Sequence, residues 1–242
     1  MFSYIIPNWV VPKHVKAISS TRVGGFSSFP YNELNLSIHV GDDLDLVHKN
    51  RQYLTKLTAM PSYPVWLKQT HSNCVEEVFY PPIDILKADG IFTQSDNIIC
   101  AVMTADCLPI LLTDIRGTQI AALHAGWRGL ANGIIENALN KFDGEVIAWL
   151  GPTISNSFFE VGEEVIQAFV DADISMFQSF QLKQSVNKYL VNLPLLASKL
   201  LHKIGVTKVV NSGLCTFNND CFFSYRRDGV TGRQASFIWI ED

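Results

Sequence analysis

The chain has 242 residues, of which 48% are hydrophobic and 17% charged, with a formal net charge of −4. This balance suits a compact protein with a sizeable core and excludes an intrinsically disordered chain. It gives no electrostatic footprint for nucleic acid, although local arginines can still hold small anions.

In chain order, residues 1–7 lack the basic start and continuous apolar run of a signal peptide. Val15–Ser20 reads as a strand leading into Thr21-Arg22-Val23-Gly24-Gly25, whose paired glycines signal a tight loop. Asp42 and Asp43 cap a helix expected to reach Ala59, with Val47, Leu54 and Leu57 on one face and Tyr53 beside them. Pro64–Gln69 reads as a strand ending at His71. Ile98–Met103 is a continuous apolar run, as expected of a strand buried on both faces. Thr104-Ala105-Asp106-Cys107 interrupts it, Pro109–Leu112 resumes it, and Gln119–His124 forms another strand.

After Gly126-Trp127-Arg128-Gly129, the spacing of Leu130, Ile134, Ile135, Ala138 and Leu139 predicts one helix to Phe142. Val146–Leu150 is a strand stopped by Gly151-Pro152. A helix over Glu163–Val170 precedes a polar connection through the 170s and 180s. A second helix over Pro194–Ile204 has Asn192 near its start and Gly205 as its stop. Val206–Val210 and Gln234–Ile240 complete the strands. No repeat or flexible linker divides the chain, so residues 1–242 are expected to form one α/β (mixed α+β) domain, a mixed sheet covered by helices. No stretch reaches the ~18 apolar residues of a membrane span. The five cysteines lack the spacing of a disulfide framework, which points to a cytoplasmic protein with free thiols and no membrane partner.

His71, Cys107 and His124 each stand at a strand end or turn, where side chains can converge on one sheet edge. Two imidazoles and a thiolate suit zinc, and three ligands leave a fourth position open for chemistry. Their separation matches no local zinc motif, and the competing interpretation is a buried Cys107 thiol with both histidines bonded to backbone. Cys74 is a further thiol near His71, read as strand core.

Lys68-Gln69-Thr70-His71, Thr104-Ala105-Asp106-Cys107-Leu108-Pro109 and His124-Ala125-Gly126-Trp127-Arg128-Gly129 resemble the signature segments of the YfiH-like family. Further matches are Leu34-Asn35-Leu36, Gly41-Asp42, Phe159-Glu160-Val161-Gly162, Phe223 to Asp228 and Thr231-Gly232-Arg233, so the resemblance runs over essentially the whole chain. Members carry the names laccase-domain polyphenol oxidase, purine nucleoside phosphorylase and peptidoglycan editing factor. The resemblance implies that His71, Cys107 and His124 are zinc ligands. It also implies a single domain related to the catalytic domain of cytotoxic necrotising factor. Ser72 stands where the family has glycine after the first histidine.

Beside the metal, Asp106 is a candidate general base or a group that orients His71 or His124. Cys107 with His124 is the alternative nucleophile and base. Arg22, Arg128, Arg226 and Arg227 lie in glycine-rich or turn segments and suit phosphate or carboxylate, Arg22 and Arg128 best. Asn35 and Gln69 could bond a base or ribose, or merely stabilise turns. Trp127 and Tyr225 could stack on a purine, or simply pack.

The expected activity is zinc-dependent phosphorolysis of adenosine, inosine or methylthioadenosine, with deamination of adenosine as a possible companion. The alternative is amidase-like editing of a cell-wall precursor peptide. Either implies a small-molecule partner and a monomer or weak homodimer. Copper is disfavoured, because six histidines without a His-x-His pair are too few for a multicopper oxidase. The usual zinc deaminase signature is also absent.

Overall fold

The computed structural model describes residues 3–171, 173–183 and 187–241. Strands β1 (Tyr4–Ile5) and β2 (Val15–Ser20) precede helix α1 (Leu44–Leu57). Then come β3 (Val75–Glu77), β4 (Gly90–Thr93), β5 (Cys100–Thr104), β6 (Leu108–Asp114) and β7 (Ile120–Ala125). Helices α2 (Trp127–Ala131) and α3 (Ile134–Leu139) lead to β8 (Val146–Leu150), β9 (Glu160–Val161) and α4 (Glu163–Val170). A 3-10 helix over Ile174–Ser179 is followed by β10 (Phe180–Leu182), β11 (Tyr189–Val191) and α5 (Leu193–Lys203). The chain closes with β12 (Lys208–Asn211), α6 (Tyr225–Asp228) and β13 (Gln234–Ile240).

These strands build a six-stranded sheet in the order β12-β8-β6-β7-β4-β3, parallel at its two outer pairs and antiparallel within. An antiparallel four-stranded sheet, β1-β2-β13-β5, lies against it, and β10-β11-β9 forms a small third sheet. Cys100, Val102 and Ile238 of the four-stranded sheet meet Leu111, Ala122 and Trp149 of the six-stranded one in a shared core. The outer face of the six-stranded sheet is covered by α2 to α5, through Leu130, Ile134, Val165 and Leu196. The outer face of the other packs under α1 and the Leu34–Leu36 segment. The mixed α+β fold is therefore as expected, but each large sheet has one helical face and one sheet face. A continuous apolar run requires cover on both sides and does not specify whether helix or sheet provides it.

Local differences have local causes. Asp43 caps α1, accepting from the amides of Asp45 and Leu46. Val47 and Leu54 are buried beneath it, whereas Leu57 is exposed and buried Asn50 takes part of the inner face. The Asn50 side chain donates to the carbonyls of Glu33 and Asn35 and accepts from Phe26 N, tying the N-terminal loops to the helix. The single helix expected after Trp127 is two, broken at Gly133, whose φ of 85° is left-handed.

Pro64–Gln69 is extended but joins the sheet only by a bridge from Val65 to Cys100. Gln69 takes over the pairing, its side chain donating to Met103 O and accepting from Met103 N, both at 2.8 Å. The polar connection through the 170s and 180s holds the 3-10 helix, β10 and β11; its residues 172 and 184–186 lie outside the described residues. Cys74 precedes β3, donates to Glu76 and packs against the core between the large sheets. No helix among the described residues is long and apolar enough to cross a membrane.

Candidate metal centre

Three neighbouring segments deliver the three donors. Strands β6 and β7 pair in antiparallel register with Leu108 opposite Ala125, so Cys107, just before β6, lies beside His124 near the end of β7. Strand β4 flanks β7 on the other side, with Gly90 opposite Leu123, which sets Asp89 next to His124. The loop carrying His71 folds over Asp89. Both His71 (φ 60°) and Asp106 (φ 95°) adopt left-handed backbone, at a cost of about 1–3 kcal/mol each that the surrounding bonds must offset.

The donor atoms of His71, Cys107 and His124 lie within 4.8 Å of one another. Cys107 Sγ is 3.8 Å from His71 Nε2, and the two imidazoles meet edge to face. His124 is buried, Cys107 half-buried and His71 exposed, so the group opens to solvent on the His71 side. Tetrahedral zinc with one nitrogen and one sulfur ligand would hold those atoms about 3.6 Å apart, close to the separation present. The donor set and spacing thus fit a zinc-like cation.

Asp89 organises the group. Its buried carboxylate accepts from His124 Nδ1 at 2.8 Å, which leaves Nε2 of that ring for a metal. It also accepts from the amides of Thr70, His71 and Ser72 at 3.0, 2.9 and 2.6 Å, and from Ser72 Oγ at 2.7 Å. One carboxylate therefore sets the ring of one ligand and the backbone of another. The serine at position 72 adds a hydroxyl bond that glycine would lack.

Electrostatics follow from this wiring. Burial alone would raise the Asp89 carboxyl, but bonds from His124 and Ser72 outweigh it and hold it well below the usual carboxylate range. Burial would likewise raise the Cys107 thiol, yet His124 and His71 bring it down to about 6. Burial would lower His124, whereas Cys107 and Asp89 push it up to about 9. Each of the two groups thus favours the charged form of the other, the direction that leads toward a thiolate–imidazolium pair.

A cleft of about 520 Å³ opens above these residues. Gln69, Asp106, Arg128, Tyr225 and Arg226 line it, as do Trp127 and Phe159. Arg22 does not; it pairs with Asp228 at 3.7 Å, bonds Asn32 O and lies over Phe223 in a separate depression. Asn35 is fully buried and outside the cleft lining. Its amide donates to Ser37 O and Asp42 and accepts from Ser37 N and Arg233 N. Arg227 is half-buried and lines the same depression as Arg22, forked onto Asp228 and the carbonyls of Thr216, Phe217 and Phe222.

Asp106 faces neither histidine. Its oxygens accept from Thr216 Oγ1 and Arg226 N at 2.6 and 2.7 Å, so it anchors loops while Asp89 takes the orienting role expected of it. Sequence analysis gives Asp89 no role, because its place beside His124 depends on cross-strand register. Arg233 and His39 also line the cleft, and Thr231-Gly232-Arg233 was visible in the sequence without an assigned task.

A family model described as multi-copper polyphenol oxidoreductase laccase matches residues 16–241. The purine nucleoside phosphorylase YfiH of Escherichia coli is 44% identical, covering 99% of this chain and 100% of its own length. A purine nucleoside phosphorylase of Haemophilus influenzae is also 44% identical, with 98% and 99% covered. A solved Neisseria meningitidis protein superposes with a TM-score of 0.95 at 39% identity, covering both chains completely.

Proposed function

The chain belongs to the family described as multi-copper polyphenol oxidoreductase laccase, and from its likeness to purine nucleoside phosphorylases within that family we propose that it is a zinc-dependent enzyme of that class. The observation that carries this reading is the convergence of His71, Cys107 and His124, oriented by Asp89, at the wall of a cleft lined by arginines and aromatics. Bound there, zinc would supply a Lewis acid with an exchangeable position facing the cleft.

The protein's own groups fit the rest of phosphorolysis. In that reaction a phosphate oxygen bonds to C1′ of the ribose while the C1′–N9 bond breaks, and the purine leaves with the electron pair and takes up a proton. Trp127, Phe159 and Tyr225 offer faces for the base, and the cleft arginines offer forks for the incoming anion. Asp106 has both oxygens committed to protein donors, which argues against it as the proton acceptor. The laccase name suits the site poorly. Among the described residues one cluster of His, Cys, Asp or Glu donors has metal-holding geometry, and His14 and His202 are bonded to backbone carbonyls.

Zinc-loaded protein given adenosine should release adenine and ribose 1-phosphate only when phosphate is present. Inosine among the products would add deamination to the activity. Cys107→Ser should lose the metal and both activities while staying folded, and a fully active metal-free variant would sink the proposal. A second reading, amide hydrolysis on a cell-wall precursor peptide, is favoured by the order Cys107, His124, Asp89, which places nucleophile, base and orienting carboxylate in series. Zinc content separates the two mechanisms, since a thiolate held by zinc is a poor free nucleophile. Amide cleavage by metal-free protein, with no phosphorolysis after zinc loading, would favour the second.

A further inference from the structure

The arginines of this chain divide by partner. Arg22, Arg116 and Arg227 are ion-paired to aspartates, and Arg51 packs over Trp66. The other three, Arg128, Arg226 and Arg233, have no carboxylate within ion-pair distance among the described residues, and all three line the cleft. Asp106 is the one carboxylate in that lining, and its oxygens are already taken. A protein of net charge −4 has thus placed its three guanidiniums without a direct ion-pair partner around one cavity, where an anion could bond them directly.

They are not equivalent. Arg128 is exposed and lies over Trp127. Arg226 spends Nη1 on the carbonyls of Glu160 and Phe158 at the β9 edge. Arg233 is half-buried, its charge is felt at Cys107 and Asp106, and its guanidinium stands 5.8 Å from the Tyr225 ring. Nη1 of Arg233 is fixed by the carbonyls of Thr231 and Gly232, while Nε and Nη2 meet no acceptor among the described residues. Its backbone is clamped on both sides, the amide donating to Asn35 Oδ1 and the carbonyl accepting from Leu36 N. A rigid fork with free donors beside the metal ligands is the arrangement that recognises a tetrahedral oxyanion in two-point fashion.

We propose that Arg233 is the residue that binds inorganic phosphate for the reaction, deepening the phosphorylase reading on which it rests. The test uses zinc-loaded protein and the variants Arg233→Met and Arg233→Lys, with folding verified by thermal melting. Arg233→Met should raise the phosphate KM by at least about tenfold, the scale of losing a charge-assisted fork, with the adenosine KM changed by less than about twofold. Arg233→Lys should recover part of that loss, because it restores the charge without the fork.

Calorimetric titration with inorganic phosphate reads the same subsite without turnover. Binding by the native protein that is lost in Arg233→Met supports the assignment, even if no ribose 1-phosphate forms and the phosphorylase reading fails. An unchanged phosphate KM or unchanged binding in Arg233→Met overturns it, as does a native protein that binds no phosphate. Adenosine 5′-monophosphate binding more tightly than free phosphate in an Arg233-dependent way would assign the fork to a nucleotide's phosphoryl group and overturn the free-phosphate assignment.

Discussion

Buried polar side chains in this protein act mainly by holding backbone that carries functional groups elsewhere. Asn35 accepts the amides of Ser37 and Arg233, both of which line the cleft, and Asp106 accepts the amide of Arg226. Asp89 does the same for Thr70, His71 and Ser72 while also orienting His124. Replacing Asp89 by Asn keeps the size but puts an NH2 where the carboxylate now accepts several N–H and O–H groups. Zinc affinity should fall about 10- to 100-fold, the usual scale for losing an orienting partner of a metal ligand, as measured by competition with a chromophoric chelator. Unaltered affinity would show that His124 needs no such support.

The acid response carries the matching sign. The folded carboxyl of Asp89 is held low, so its contribution to stability is complete above the unfolded value of about 3.9 and is lost as pH falls through the folded value. Asp114 shifts in the same direction: burial alone would raise it, and the amides of Gln119 and Thr118 with Arg116 outweigh that. Asp89→Asn should therefore flatten, without abolishing, the fall of stability between about pH 4 and lower values in urea titrations.

At the scale of elements, the turn after β7 shows where periodicity misleads. Leu130, Ile134, Ile135 and Ala138 are all buried at helical spacing, yet Gly133 breaks the run into α2 and α3. A continuous helix would gain about 1 kcal/mol from Gly133→Ala. The left-handed φ of 85° predicts instead a loss of about 1–2 kcal/mol, because alanine pays for its Cβ there. Denaturant unfolding reads the sign directly, and a stabilised variant would contradict the break.

The same contrast explains what was legible beforehand. Val15–Ser20, Val146–Leu150, Glu163–Val170 and Gln234–Ile240 appear at their expected bounds, since local apolar patterning and stop residues define them. Strands β3, β4 and β9 to β11 were not foreseen; they have two to four residues, and pairing with distant segments makes them strands. The three candidate metal ligands were readable through their motifs. Asp89 and Arg233 were not assigned, because cross-strand register and a clamped loop create their roles. Asn35 and Arg22 stand outside the cleft lining for the converse reason: side chains able to meet a ligand have protein partners.

For the molecule as a whole, a metal held by His71, Cys107 and His124 would be a fastening as well as a reactive group. It would join the 70–72 loop, the turn between β5 and β6 and the end of β7, segments drawn from both large sheets and their connections. Gly126 leaves room for that closure: a Cβ there would come within 3.1 Å of Cys107 Sγ and 3.3 Å of the His71 ring. A ligand that binds the folded chain alone stabilises it by about 4 kcal/mol when its free concentration is a thousand times its dissociation constant. For a chain of this size that corresponds to a melting shift on the order of 10 °C. Stripping with a chelator should therefore lower the melting temperature by about that much, and one equivalent of zinc should restore it. Cys107→Ser should melt near the stripped protein and respond little to either treatment. Equal melting of stripped and loaded native protein would mean that the three segments are held without the metal, leaving it a purely chemical role.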